Sequence, residues 1–252
     1  MVGRACLVLG LVLAASTARA DTATSTTNRF ALQLGGVPYG LVNATTTPSA
    51  QQLLVTTADI ASPLVSLVGT FAQGKPVKRN LSLASGAVVR RANDARLTSV
   101  KLPAMGGGGT ADIELVFVAP TVTTQPLLSA KVAPPLPATA RITGFRIDVS
   151  GLKPIEAPKL DGIALTQRSD GTVTAGDIVF EAAAGGAPPF TAWQKANGAR
   201  PVPRTVRVEY FGGDGKAVVE LQLDRCVMAS LTPLGANGTT RITLTCAGVH
   251  AS

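Results

Sequence analysis

Histidine and aromatic side chains are scarce in this chain. His250, third from the end of 252 residues, is the only imidazole. A triad or a His-based general base needs its imidazole held against a nucleophile, and a tail position offers no frame for that. Aromatics make up 4% of the sequence, against the stacking platform of a nucleic-acid binder, and a sugar binder normally presents a concave aromatic surface. Beyond phenylalanine only Trp193, Tyr39 and Tyr210 are present. No Cys-His or His-x-x-x-His spacing suits zinc. Gly106 to Gly109 lacks the Lys-Ser/Thr of a phosphate loop and reads as a flexible connection between strands. After the first 20 residues no run approaches the roughly 20 apolar positions that span a bilayer.

The remaining polar candidates each have a plainer reading. Asp112 and Glu114 stand two apart on a predicted strand and share one face. That composition suits half a calcium site or a glycosidase pair, yet a solvated outer face needs nothing more. Asp170, Gly171 and Asp177 lack the spacing and terminal acid of a calcium loop. The basic run Lys75, Lys78, Arg79 and the pair Arg90-Arg91 suit solvated strand edges kept from pairing with other chains; contact with a polyanion or an acidic surface is the sharper alternative. Trp193 shares a helical register with Phe190, which makes it core rather than a ligand platform. The chain is therefore expected to have no catalytic residue, no cofactor and no metal site.

Residues 1–20 read as a signal peptide: a positive start at Arg4, an apolar run from Ala5 to Ala15, and a small-x-small site at Ala18-Arg19-Ala20. Cys6 lies too early in that run for lipid attachment. Cleavage leaves 232 residues and lowers the formal charge from +8 to +6, and the product is expected in the periplasm or outside the cell. Two cysteines survive, Cys226 and Cys246, and an even count in an exported chain favours a disulfide. Alternation puts Cys246 on the face of Ile242 and Leu244. It puts Cys226 opposite Leu221 and Leu223 unless a bulge intervenes, so two separate buried thiols stay open as the alternative.

What the chain does contain, it contains twice. Lys75-Pro76-Val77-Lys78-Arg79-Asn80-Leu81-Ser82-Leu83 returns as Arg200-Pro201-Val202-Pro203-Arg204-Thr205-Val206-Arg207-Val208. Phe30 to Val37 pairs with Phe145 to Leu152, Ala87 to Val89 with Ala217 to Val219, and Gly109 to Leu115 with Gly238 to Leu244. Asp94 and Asp224 follow the third anchor in both copies, and the cysteines fall opposite Arg96 and Phe117. The period exceeds the 20 to 50 residues of solenoid repeats, so each copy is a domain. The division is 21–120, a Pro-rich linker at 121–140, and 141–252.

Within each copy short strands follow turn signals. In the first they are Arg29 to Leu34, Tyr39 to Val42, Gln52 to Thr57, Val77 to Leu83, Val88 to Val100 and Ile113 to Val118. A helix starts at Ser62-Pro63 and stops at Gly74, with Leu64, Leu67, Val68 and Phe71 as its stripe. In the second copy a helix from Pro188/Pro189 to Asn197 precedes strands at Val202 to Tyr210, Ala217 to Leu231 and Thr240 to Cys246. Residues 247–252 are expected to fray. The fold class is mainly β, as two tandem sandwich- or barrel-like domains with one flanking helix each.

This order resembles the tail-tube family of contractile phages and phage-derived injection systems. Phe145 to Gly151, Trp193, Arg204 to Tyr210, Gly213 to Lys216, Ala217 to Leu231, Thr232-Pro233-Leu234 and Arg241 to Thr245 fill the family's places. The first copy fills them with Phe30 to Gly36, Phe71, Arg79 to Leu83, Val88 to Val100, Lys101-Leu102-Pro103-Ala104 and Asp112 to Val118. The resemblance implies a non-catalytic structural protein whose partner is itself. Tail tubes are six-fold rings of one domain per chain, so a tandem chain implies a trimer forming a pseudo-six-fold ring. An export signal and a duplicated chain both depart from the family pattern. The rival reading is an exported tandem β-sandwich that binds polysaccharide or a cell surface.

Overall fold

The computed structural model describes residues 29–46, 51–58, 62–85, 88–106, 111–126, 141–153, 155, 157–198, 200–235 and 238–251. The predicted signal peptide, Gly107 to Gly109 and residues 127–140 of the predicted linker lie outside them, as does the side chain of Ser62, expected as a helix cap.

The first unit is a closed barrel. Its strands are β1 (Arg29–Leu34), β2 (Val37–Thr46), β3 (Gln52–Thr57), β4 (Lys78–Ser85), β5 (Val88–Lys101) and β6 (Ile113–Val118), with helix α1 (Ser62–Ala72) between β3 and β4. They pair in the order β5-β4-β1-β2-β3-β6, and β6 pairs back onto β5 to close the ring. Alternation fills the interior: Phe30, Leu32 and Leu34 of β1 face the same core as Leu53 and Val55 of β3 and Leu81 and Leu83 of β4. The two-residue turn at Gly35-Gly36, with φ of 59° and 82°, is what delivers β2 beside β1. A tight hairpin of this kind needs positive φ at both central residues, which glycine adopts without strain.

Residues Thr121–Pro126, placed in the linker by the sequence reading, form β7, paired to Val88 through Asn93 of β5. Five of its six residues are exposed, so it carries no alternation to betray it.

The second unit repeats this plan and leaves it open. Its strands are β8 (Ile142–Val149), β9 (Lys159–Leu160), β10 (Ala164–Gln167), β11 (Val173–Ala175), β12 (Ile178–Ala182), β13 (Arg204–Gly212), β14 (Ala217–Leu234), β15 (Thr239–Thr245) and β16 (Gly248–Ala251). A 3-10 turn, Ala184–Gly186, leads into helix α2 (Ala187–Asn197). The sheet runs β8-β13-β14-β15-β12-β9, with β16 on β14. β9, two residues long on β12, takes the place of β2, and among the described residues it does not pair with β8. The β10–β11 hairpin crosses to the first unit, where Ala164, Leu165 and Thr166 pair with Lys101, Val100 and Ser99 of β5.

Strand register repeats between the two units and shifts the alignment read from the residues. Leu81 and Leu83 oppose Leu34 and Leu32 as Val206 and Val208 oppose Val149 and Ile147. Both long strands carry the same two irregularities, one opposite Arg79/Leu81 and Arg204/Val206, the other at Leu97/Ser99 and Met228/Ser230. The only positive-φ residues besides glycine among the described ones, Asp94 (54°) and Arg225 (49°), sit in the first of these. Asp94 therefore matches Arg225, not Asp224. The cysteines match Ala95 and Ala119, not Arg96 and Phe117: matching by residue type had slipped by one and two positions, which pairing corrects.

That bulge also settles the thiols. It turns Cys226 onto the buried face of Leu221 and Leu223, and Cys226 is bonded to Cys246. The C-terminal residues expected to fray instead form β16, held by Gly248 to Ala251 pairing with Asp224 to Leu221. It takes the place on β14 that β7 takes on β5.

The units are joined by more than a linker. Gln167, 8% exposed, accepts two hydrogen bonds from Arg96 at its Oε1 and donates from its Nε2 to the carbonyls of Gly74 and Gly171. Tyr210 donates its hydroxyl to the Pro103 carbonyl. Gly106, at φ 81°, approaches the Pro158 carbonyl so closely that a Cβ there would stand 1.8 Å from its oxygen. Helix α1 leaves its own unit to pack on β14 and β16.

Candidate functional site

The second unit's open seam is a consequence of one residue. Ser150-Gly151 replaces Gly35-Gly36 after the first strand. Gly151 keeps a positive φ of 73°, whereas Ser150 does not take one. The two-residue hairpin is lost, a turn with Leu152 N–H donating to the Val149 carbonyl replaces it, and the chain departs. β8 then pairs with β13 alone.

The vacated place is a groove of about 470 Å3. Phe145, Arg146 and Ile147 of β8 form one wall, Ile155, Ala157 and Pro158 another, and Phe211 and Ala183 close it. Along β8 alternate residues turn their N–H and C=O toward β13. Ser150 N–H donates to the Thr205 carbonyl, which leaves the main-chain groups of Phe145 and Ile147 on the outer side. Neither has a backbone partner there among the described residues.

The outer face of this sheet carries a charge ladder. Arg146 stands 3.1 Å from Asp148 and 2.5 Å from Glu209, and Arg207 lies 2.8 Å from Glu209 and 2.7 Å from Glu220. Glu209 is buried at 4% exposure, which two flanking guanidinium groups make tolerable. The hydrogen bond to Glu220 raises the Arg207 pKa further above its ordinary value. The first unit carries Ala31, Gln33, Ser82 and Ala84 at the matching places on β1 and β4, with no charge. The arrangement can orient a partner and fix register; it does not bring an acid, a base and a nucleophile together.

Two further surfaces are open. The outer face of α2 presents Ala187, Pro188, Thr191, Ala192 and Lys195 along a shallow depression of about 460 Å3. On the first unit, β7 is exposed and so is Val88 at the start of β5, at 38%, while Val89 beside it is buried.

The residues singled out by sequence scatter. His250 lies on β16, 3.0 Å from Asp224, and is exposed. Glu114 pairs with Lys101 at 3.0 Å and Asp112 precedes β6. Asp170 lies in the β10–β11 turn, its pKa lowered chiefly by the Thr172 backbone N–H, while Asp177 accepts from the Thr245 hydroxyl. Among the described residues no three His, Cys, Asp or Glu side chains gather as metal ligands. Of the basic residues, Lys78 pairs with Asp94 and Arg90 lies over Phe30. Trp193 and Phe190 are core, and the Trp193 indole N–H donates to the Val202 carbonyl at 2.8 Å. No described helix is long and apolar enough to cross a membrane.

No family model matches the sequence, and no curated protein matches it. The likeness to tail-tube proteins rests on the short motifs quoted above. Sequence reasoning missed the open edge of β8, whose signal was serine in the place of Gly35.

Proposed function

We propose that this chain is a non-catalytic, exported structural protein, built from two tail-tube-like units, that self-associates. The observation that carries the reading is the unpaired edge of β8 beside an apolar groove, since exposed edges pair with other chains unless blocked. The first unit closes the same place with β2, so a strand fits there. The disulfide suits an oxidising compartment, in keeping with the leader-like residues 1–20. The resemblance supports three chains and six units in a ring.

The same groove, with Phe145 and Phe211 beside Arg146, favours a second reading: a binding module for polysaccharide or cell surface. The solution mass of the mature chain, with negative-stain images of the same fraction, separates the two. Assemblies, above all six-lobed trimers, are the expected result. A compact monomer at high concentration overturns self-association and leaves the binding module.

A further inference from the structure

We propose that the chains assemble head to tail, the outer face of α2 seating on the β5–β7 face of the next copy. This rests on the self-association proposed above and names two surfaces for it besides the β8 edge. The template is the junction inside the chain. There α1 lies across β14 and β16 of the second unit, with Val65, Ser66, Gly69 and Thr70 facing Val219, Glu220 and Ala251 across a depression of about 270 Å3. A Cβ built on Gly69 would meet the Ala251 methyl at 3.9 Å. Small side chains on that helix face let it sit close to the sheet.

Among the described residues, both halves of this junction occur a second time without a partner from the other unit. Aligning the helices on their buried aromatic positions, Val68 and Phe71 with Phe190 and Trp193, sets Ala187, Pro188, Thr191 and Ala192 in the places of Val65, Ser66, Gly69 and Thr70. They are again small, and they line the open depression on α2. Strand register sets Val88, Val89 and Thr124 in the places of Val219, Glu220 and Ala251. Val219 is buried at 6% exposure, whereas Val88 is 38% exposed, one of four large hydrophobic residues so exposed among those described. Thr124 is exposed where Ala251 is half-buried. The molecule thus carries an open helix face on α2 and a matching sheet face on β5–β7.

A further copy continues the intrachain interface, α2 meeting β5–β7 as α1 meets β14–β16. Such a contact is heterologous: it closes into a ring if the rotation between units divides a full turn, and otherwise grows as a filament. The β10–β11 hairpin reinforces the junction within the chain and has no counterpart between β2 and β3. The junction between chains is consequently the weaker of the two and the first to part on dilution.

The test uses the full mature chain and two exposed positions, Ala192→Arg on the helix face and Val88→Arg on the sheet face. Circular dichroism and thermal unfolding establish that each variant is folded. Sedimentation is expected to show each variant alone at a lower mass than the parent chain at the same concentration, with no rings or filaments left. Mixed in equal amounts, the two are expected to rise in mass by one pairing and no further, because each retains the surface the other has lost. A single variant with the parent's mass, or a mixture with the mass of its components, overturns the proposal while leaving self-association through the β8 edge intact. A parent chain that is monomeric at every concentration overturns both.

Discussion

The two units share strand register, both bulges and an aromatic-bearing or apolar helix, yet one closes and the other does not. In the first, Gly35-Gly36 returns the chain at once and β2 bridges β1 to β3. In the second, Ser150 forbids that return, only Leu160 and Lys159 remain beside β12, and the freed hairpin caps the first unit instead. Closure of such a barrel is decided locally, by two backbone dihedral angles. What one unit gives up in closure the pair gains as a junction.

The sharpest way to break the comparison is at the disulfide. The open unit has it, and the closed unit has Ala95 and Ala119 at the same places, both fully buried. Alanine is thus already accommodated in this fold. Replacing Cys226 and Cys246 with alanine together should keep the structure and remove chiefly the constraint on the unfolded chain. For a loop of 20 residues that is about 3 kcal/mol. Urea unfolding checks it. A loss near zero would mean that the open unit is held by its packing alone, as the closed one is.

The next largest effect lies where the units meet. Gln167→Leu leaves Arg96 and the carbonyls of Gly74 and Gly171 without their buried partner, at a cost of about 1–3 kcal/mol. Intact, the junction should make both units unfold together. In the variant, the tryptophan fluorescence of Trp193, which reports on the second unit alone, should separate from circular dichroism, which reports on both. Coincident transitions in the variant would show that Gln167 is not what couples them.

How much of this was legible in the residues follows the same division. Gln52–Thr57 and Ile113–Val118 were readable to the residue because apolar side chains alternate there against a packed interior. The helix stripe of Leu64, Leu67, Val68 and Phe71 was readable for the matching reason. β7 and β16 were not, since edge strands exposed on one side need no alternation. β10 and β11 are four and three residues long, shorter than any periodicity can mark, and their partner β5 is in the other copy. The pairing of Cys226 waited on a bulge that composition does not announce. The open seam could have been inferred from Ser150 against Gly35, had the copies been compared for turn chemistry as well as for strands.

The smallest effect at neutral pH grows at alkaline pH. Tyr210 is fully buried, with its hydroxyl 3.3 Å from the Pro103 carbonyl across the junction, and burial raises its pKa far above the ordinary value of 10.0. Desolvation of the phenolate is the cause. With the folded pKa raised, stability from this group is fully present below about pH 10. Above that the unfolded chain sheds the proton and the folded chain keeps it, so stability falls by about 1.4 kcal/mol per pH unit. Tyr39, half-buried and shifted upward by burial against the opposing charge of Arg79, adds a gentler slope of the same sign. Tyr210→Phe should cost about 1 kcal/mol at pH 7 for the lost hydrogen bond and flatten the decline above pH 10. The two stability curves should therefore converge, and the variant should become the more stable protein as pH rises further. Parallel curves would mean that the hydroxyl reaches water, and that the junction opens at Pro103 before the barrels unfold.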